Sequence, residues 1–188
     1  MAPKLHVIVC STRPGRVGPA IGRWVHEAAG RHGGFDPVLV DLAEVDLPIY
    51  DEPKHPRLKQ YEHAHTRRWS ESVSAADAFV FVTPEYNYGP PPSLVNALNY
   101  VYTEWNYKPA ALVSYGGVSG GLRAAQTEKL TLLALKMVPI NEAVTIQMVA
   151  QHVADGVFTP QEPHTVSAKA MFDELLRWTE ALRPLRQG

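Results

Sequence analysis

Five short apolar segments recur along the chain, and polar or glycine-rich residues follow each of them. The segments span residues 4–10, 35–42, 78–83, 110–114 and 143–148. Their length and their content of valine, isoleucine and phenylalanine predict β-strands. Because the apolar positions run continuously rather than in alternation, we expect a sheet that is buried on both faces. Pro37, near the start of the second segment, indicates an edge strand, since an edge can spare one backbone donor.

Longer stretches between and after these strands carry apolar residues at helical spacing. They predict helices over residues 19–31, 58–76, 93–101, 122–136 and 166–182. The alternation of strand and helix favours a parallel sheet with helices on both faces. For five strands in a chain of this length, we expect one α/β domain over residues 1–188, built on a three-layer doubly wound sheet with the strand order 2-1-3-4-5.

The composition limits the partners and the compartment of the protein. A net charge of −1 gives no overall field that would recruit nucleic acid or an anionic membrane. The apolar runs are shorter than the roughly 20 residues that a membrane span needs, and the first residues do not resemble a secretory signal, so we expect a cytoplasmic protein. The single cysteine, Cys10, excludes an internal disulfide and a cysteine-rich metal site. His63 and His65 are spaced for different helix faces, so we expect no metal ion.

The loop after the first strand has the composition of an anion site. It carries the hydroxyls of Ser11 and Thr12, then Arg13 and Arg16 among glycines, and it opens a helix. Free backbone N–H groups at a helix N-terminus favour a phosphate, and arginine can add a charge-assisted contact. The spacing matches neither a P-loop nor the dinucleotide-binding glycine pattern. Taken alone, the loop is equally compatible with a solvated basic turn.

Two further loops are predicted to lie at the same edge of the sheet. After the third strand, Tyr86 and Tyr88 flank Asn87 in a proline-rich segment, a combination that suits a flat polar ring. The alternative is a covering loop whose tyrosines pack on the sheet or on a partner. After the fourth strand, residues 115–121 include four glycines, which let a ligand approach backbone N–H groups closely. Such donors can stabilise charge on a ring, although a flexible turn also explains glycine. Glu85 has no evident acid or base partner, so we expect it to position other groups.

Three motifs together resemble those of a known family. They read "CSTRPGRVG" after the first strand, "TPEYNYGPPPSLVNALNYV" after the third, and "KPAALVSYGGVSGG" through the fourth. In these motifs the chain resembles the NADPH-dependent FMN reductase family, which includes quinone, azo and chromate reductases with a flavodoxin-like fold. The resemblance covers residues 4–147, and the second motif is its most specific part.

The resemblance implies that FMN binds across the three loops. The phosphate would be held by Ser11, Arg13 and Arg16, together with the backbone of Gly18, Pro19, Ala20 and Ile21. The ribityl chain and ring would be lined by Pro84, Glu85, Tyr86, Asn87 and Tyr88. The polar edge of the ring would be bordered by Ser114, Tyr115, Gly116, Gly117 and Ser119.

The resemblance also implies an activity. NADPH or NADH would deliver hydride to flavin N5 and leave, and a small electron acceptor (a quinone, free flavin, an azo compound or a metal oxyanion) would take its place. The cofactor carries this chemistry, so no catalytic side chain is expected. A homodimer or homotetramer is expected, with contacts near residues 88–107. The alternatives are a flavodoxin-type electron carrier, which the nearly neutral charge disfavours, and a non-catalytic flavin-binding sensor.

Two departures from the family pattern bear on the site. Cys10 stands where the family usually has glycine, so the first turn should avoid a positive φ. Val95, Asn99 and Tyr100 replace the usual lysine, aspartate and tryptophan. Because these positions lie on the helix after the second loop, they affect oligomer contacts and the choice of acceptor more than FMN binding.

Overall fold

A computed structural model describes residues 1–186, which are built around a parallel β-sheet. Its strands are β1 (Lys4–Val9), β2 (Asp36–Asp41), β3 (Ala78–Pro84), β4 (Pro109–Tyr115), β5 (Val138–Pro139) and β6 (Val144–Ile146). The order is β2-β1-β3-β4, and both β5 and β6 pair with β4 on its outer side. This confirms the order 2-1-3-4-5. The proline-bearing β2 lies at an edge, as expected.

The fifth position of the sheet differs from the prediction of one strand over residues 143–148. Pro139 pairs with Ala110, and Val144 pairs with Val113. The chain therefore has two more residues between these pairs than β4 has, and the extra residues leave the ladder. Two short strands result where the sequence indicates one, because apolar content does not reveal a local mismatch in register.

Six α-helices within residues 1–186 cover the two faces of the sheet. They are α1 (Gly18–His32), α2 (Leu42–Val45), α3 (Ala64–Ala75), α4 (Pro92–Tyr100), α5 (Leu122–Ala134) and α6 (Glu162–Arg186). Helices α1 and α6 pack on one face through residues such as Trp24 and Phe172, while α3, α4 and α5 pack on the other. A small hairpin, β7 (Val153–Ala154) and β8 (Val157–Phe158), lies outside the main sheet.

Two predicted helix boundaries are wrong. The helix predicted from residue 58 begins at Ala64, because Pro56–Leu58 forms a 3₁₀ turn that ends at Lys59 in the left-handed region, with φ +52°. The last helix is longer than residues 166–182. It begins at Glu162, where Pro163 is tolerated because the first turn needs no backbone donor, and the ring of His164 accepts the backbone N–H of Gln161.

The register of the sheet determines where the loops lie. Val9 pairs with Val82, and Pro84 pairs with Tyr115, so β1, β3 and β4 end at one edge. Every residue of β3 and β4 is buried, in agreement with their continuous apolar sequences. The three loops predicted to share an edge are therefore neighbours. No helix among residues 1–186 has the length and apolar content that a membrane crossing requires.

One buried carboxyl group lies inside this fold. Glu128 of α5 is fully buried on the side of the sheet that contains Cys10. Neither of its carboxylate oxygens has a hydrogen-bond partner among the described residues. Burial raises the pKa of Glu128 from its usual value to about 7, and the nearby Thr131 hydroxyl offsets this only in part.

We predict that Glu128 makes the stability of the protein depend on pH. Between the ordinary glutamate pKa and about 7, the folded state keeps a proton that the unfolded state has lost, so the free energy of unfolding falls as pH rises through this window. The full loss is about 3 kcal/mol. Denaturant unfolding at pH 5 and pH 8 should show this decline in the wild type and a weaker decline in Glu128→Gln. The exposed Glu142→Gln serves as the control and should behave as the wild type; an equal decline in Glu128→Gln would contradict the prediction.

Candidate functional site

Direct hydrogen bonds join the three loops at the carboxyl edge of the sheet. The Tyr115 hydroxyl donates to the Ser11 Oγ over 3.1 Å, which links the end of β4 to the first loop. The backbone N–H of Glu85 donates to the Tyr115 carbonyl over 3.3 Å, which links the second loop to β4. The Ser93 hydroxyl donates to the Cys10 carbonyl. The loops therefore form one continuous surface.

Ser11 and Gly18 pack against each other beneath the first loop. Ser11 is fully buried, and its hydroxyl bonds to Tyr115. A Cβ at position 18 would overlap the Ser11 Oγ and would lie 2.7 Å from the Tyr115 hydroxyl, so this close approach requires glycine. Cys10 has no positive φ, as its side chain requires. Its thiol is buried, and burial raises its pKa well above the usual range, so it is not a reactive thiolate.

The two arginines of the first loop have different surroundings. Arg16 forms a bidentate ion pair with the Asp41 carboxylate, with N–O distances of 2.8 and 2.9 Å. It also donates a hydrogen bond to the Ser11 carbonyl over 2.7 Å. This side chain therefore fastens the loop to the end of β2. Arg13 is exposed and forms no ion pair or hydrogen bond with any side chain that the structure describes. Arg13 is thus the cation of this loop that is available to a ligand.

Several backbone donors of the first loop have no acceptor within the described part of the chain. They are the N–H groups of Thr12, Arg13, Gly15 and Val17. Helix α1 then begins at Gly18 with no side-chain cap and no acidic residue in its first turn. Unsatisfied N–H groups and the positive end of the helix dipole together favour a phosphate. The donor set therefore fits the phosphate of FMN.

The second loop is a tight turn with an unusual backbone. Tyr86 and Gly89 exchange two backbone hydrogen bonds at 2.9 and 3.0 Å. The two residues between them, Asn87 and Tyr88, have φ values of +50° and +71°. A turn with both central residues at positive φ normally contains glycine, and a bulky tyrosine there costs of order 1–3 kcal/mol. Such strain is typical of functional sites.

Glu85 is held by Arg123, a residue that no sequence motif indicates. Its carboxylate accepts from the Arg123 Nε over 2.7 Å, from the Arg123 backbone N–H over 3.1 Å and from the Ser119 hydroxyl over 3.1 Å. Burial raises the pKa of Glu85, but Arg123 and Ser119 outweigh this and keep the pKa below its usual value. Glu85 is therefore a fixed anion. No local spacing signals this pair, because 38 residues separate the partners.

The third loop follows β4 and leads into α5. A Cβ at Gly121 would lie 2.7 Å from the Tyr115 carbonyl oxygen, and its φ is +80°, so both space and backbone require glycine. Nothing lies within 4 Å of a Cβ placed on Gly117, so this part of the loop is open. The carbonyls of Gly116 and Gly117 accept the N–H groups of Val149 and Met148, which fix the outer side of the loop.

Some of the predicted site residues have buried side chains, so only their bulk and their backbone atoms are available to the site. The side chains of Ser114, Ala20 and Ile21 are buried in the interior, and Pro84 is buried at the end of β3. Pro19 removes one N–H from the first turn of α1 and fixes its direction. Tyr86 is half-buried, whereas Asn87 and Tyr88 are exposed.

Within residues 1–186, no group of three or more histidine, cysteine, aspartate or glutamate side chains is arranged for a metal ion.

The profile of one protein family, described as NADPH-dependent FMN reductase, matches residues 3–151. The chain belongs to this family. An NAD(P)H-dependent FMN reductase from Schizosaccharomyces pombe is 41% identical to this chain over 163 residues, which cover 85% of this chain and 80% of the relative. A quinone reductase from Pseudomonas putida is 34% identical over 99 residues, about half of each chain (49% and 51%).

A solved structure agrees with the fold. FerB from Paracoccus denitrificans, a flavoenzyme NAD(P)H:(acceptor) oxidoreductase, matches with a TM-score of 0.76 and 25% identity, covering 96% of this chain and 98% of that chain. The flavodoxin-like fold predicted above is therefore confirmed. The protein is an oxidoreductase that uses FMN and NAD(P)H, which decides against the electron carrier and the non-catalytic sensor.

We predict that Gly18→Ala disrupts the first loop. The added methyl group overlaps the Ser11 hydroxyl and the Tyr115 hydroxyl, so the loop must shift. Unfolding should become easier by about 1–3 kcal/mol, as for other overpacked interiors, and FMN binding should weaken. Gly30→Ala is the control, because the added carbon at position 30 meets only Pro37 at 4.0 Å. Equal stability and equal FMN affinity in Gly18→Ala and the wild type would contradict this account.

Proposed function

We propose that the three loops bind FMN in one orientation, with its phosphate on the first loop. The observation that carries this proposal is the set of unsatisfied N–H groups of Thr12, Arg13, Gly15 and Val17, which lies beside the exposed Arg13 side chain at the uncapped start of α1. A singly phosphorylated cofactor suits this site, because the loop offers one available cation and lacks the longer phosphate-binding patterns. Arg16 then acts indirectly, by holding the loop in shape against Asp41.

The second and third loops provide the walls of the ring site in this proposal. The turn at Tyr86–Gly89 presents an amide and two aromatic rings on a rigid backbone, which suits a flat polar ring. The open glycine segment at Gly117 lets backbone N–H groups approach the polar edge of the ring. FMN, when bound, supplies the two-electron chemistry between NAD(P)H and the acceptor. The side chains orient it, and none is required to move a proton.

We propose that the acceptor is a small neutral organic molecule such as a quinone. A groove of about 890 Å³ opens beside the first and second loops, where Thr12 and Pro90 line it. Leu47, Ile49 and Val95 give it apolar walls, and Asp46 is its only charged side chain among the described residues. An acidic, largely apolar groove favours a neutral ring over a metal oxyanion. The similarity to a quinone reductase supports the same choice.

The direct test is reconstitution and turnover. The purified protein should take up FMN, and it should then oxidise NADPH or NADH in the presence of a quinone. Comparing benzoquinone with chromate under the same conditions tests the acceptor. Failure to bind FMN would overturn the proposed site, and faster turnover with chromate than with the quinone would overturn the proposed acceptor.

We predict that Arg13→Ala weakens FMN binding by about 10- to 150-fold, because one charge-assisted hydrogen bond contributes roughly 1.5–3 kcal/mol. The dissociation constant can be measured by the quenching of FMN fluorescence. Arg31→Ala is a matched control, since it removes the same charge from the far end of α1. Arg13 has no phosphate role if the two variants bind FMN equally well.

We further propose that the protein forms a homodimer or homotetramer, with its contacts on α5 rather than near residues 88–107 as expected from the sequence. Leu122, Leu130 and Leu133 lie on one side of this helix and are 48%, 70% and 57% exposed. An apolar stripe of this kind on a helix surface favours association with a second copy.

We also propose a cytoplasmic location. The single cysteine, Cys10, is buried and forms no disulfide, which suits a reducing compartment.

We predict that the double substitution Leu130→Lys with Leu133→Lys yields a monomer. Two buried lysines at such an interface would be unpaired charges, whereas in the monomer both side chains lie in water. Light scattering coupled to size-exclusion chromatography gives the mass. The exposed Val157→Lys is the control and should keep the oligomeric mass. A wild-type protein that is already monomeric would contradict the proposed assembly.

A further inference from the structure

Arg123, in the first turn of α5, makes two separate contacts with the second loop. Its Nε and its backbone N–H both donate to Glu85 of the second loop. Its guanidinium carbon lies 3.8 Å from the centre of the Tyr88 ring. The same Glu85 carboxylate accepts from Ser119 of the third loop. Arg123 therefore connects the tight turn to the start of α5, and the Glu85 carboxylate that it binds connects both to the glycine-rich loop.

The Glu85 carboxylate also caps α5. The residue that precedes this helix is Gly121, which has no side chain to bond the first N–H groups. Glu85 takes this role from a different loop, by accepting the N–H of Arg123. A carboxylate is favourable there because it lies at the positive end of the helix dipole. The Glu85 side chain is 7% exposed and the Arg123 side chain is 50% exposed, so the carboxylate is shielded from water while the guanidinium remains half in solvent.

Tyr88 needs an external restraint to keep its backbone conformation. Its φ of +71° is disfavoured for a bulky residue, and the residue is 67% exposed. Stacking on Arg123 is the only aromatic or cation contact of the Tyr88 ring among residues 1–186. The two backbone bonds between Tyr86 and Gly89 close the turn, and the stack on Arg123 holds the turn against α5.

We propose that Arg123 is a positioning residue that makes the second and third loops one rigid unit before FMN binds. This inference rests on the proposed function of these loops as the walls of the FMN site. Because the walls are already ordered, FMN does not have to order them on binding, and its affinity rises accordingly. Arg123 acts through Glu85 and Tyr88 and has no need to touch the flavin.

The experiment measures the apo-protein first. Hydrogen exchange of the Tyr86 and Gly89 amides, followed by NMR, should accelerate at least tenfold in Arg123→Ala. Exchange in the central sheet should stay as in the wild type. FMN affinity should fall about tenfold in the same variant, and saturating FMN should restore much of the protection. Arg177→Ala, which removes an exposed ion pair with Glu174 on α6, is the control and should change none of these values.

Two conservative variants separate positioning from a general structural role. Tyr88→Phe keeps the stacked ring and should exchange as the wild type. Arg123→Lys keeps the charge but loses the fork that bonds Glu85 and the planar group that stacks on Tyr88, so it should exchange at an intermediate rate. If Arg123→Ala does not fold, Arg123→Lys provides the same measurement.

The outcomes distinguish this inference from the proposed function. Wild-type exchange rates at Tyr86 and Gly89 in both Arg123 variants would overturn the inference, even if the wild type binds FMN. Accelerated exchange across the whole sheet in Arg123→Lys would also overturn it, because the role would then be structural. Accelerated exchange at the turn in a protein that fails to bind FMN would support the restraint and overturn the proposed function.

Discussion

The parallel pairing of β3 with β1 on one side and β4 on the other is the constraint on which the site depends. The pairing of β3 with each neighbour continues to the last residues of the strands: Val9 lies beside Val82, and Pro84 lies beside Tyr115. The strands are buried on both faces, and a slip in register would move their side chains into the wrong layer. The loops that follow therefore start from fixed points a strand's width apart.

The loops that start at these points contain features that are unfavourable in isolation, namely unsatisfied backbone N–H groups and a strained backbone conformation. The first loop leaves backbone N–H groups without acceptors, and the second holds Tyr88 at a positive φ. Ion pairs from neighbouring elements offset these costs: Arg16 with Asp41 at the end of β2, and Glu85 with Arg123 at the start of α5. Each pair is partly shielded from water, so it is stronger than an exposed one. These ion pairs thus hold the loops of the candidate site in conformations that they would not favour on their own.

The strand order and the shared edge of the three loops are predictable from the sequence. Continuous apolar runs mark the strands and glycine-rich segments mark the loops, and both are local signals. It does not predict the partners of the charged residues. Arg16 meets Asp41 across 25 positions, and Glu85 meets Arg123 across 38, and no spacing rule connects them. The burial of Glu128 is not predictable for a different reason: a charged residue on an amphipathic helix is expected to face water. The break between β5 and β6 depends on register, which composition does not encode.

The packing of Gly18 against Ser11 and Tyr115 has a consequence for how related sequences can diverge. The space that a side chain at position 18 would occupy is filled by two hydroxyl groups from different parts of the chain. A larger residue at position 18 therefore requires simultaneous loss of the hydroxyl at position 11 and of the one at position 115. Single replacements pass through a clash, so the three positions should covary rather than drift independently. Grafting this loop onto another sheet would accordingly require the tyrosine at the end of the fourth strand to be transferred with it.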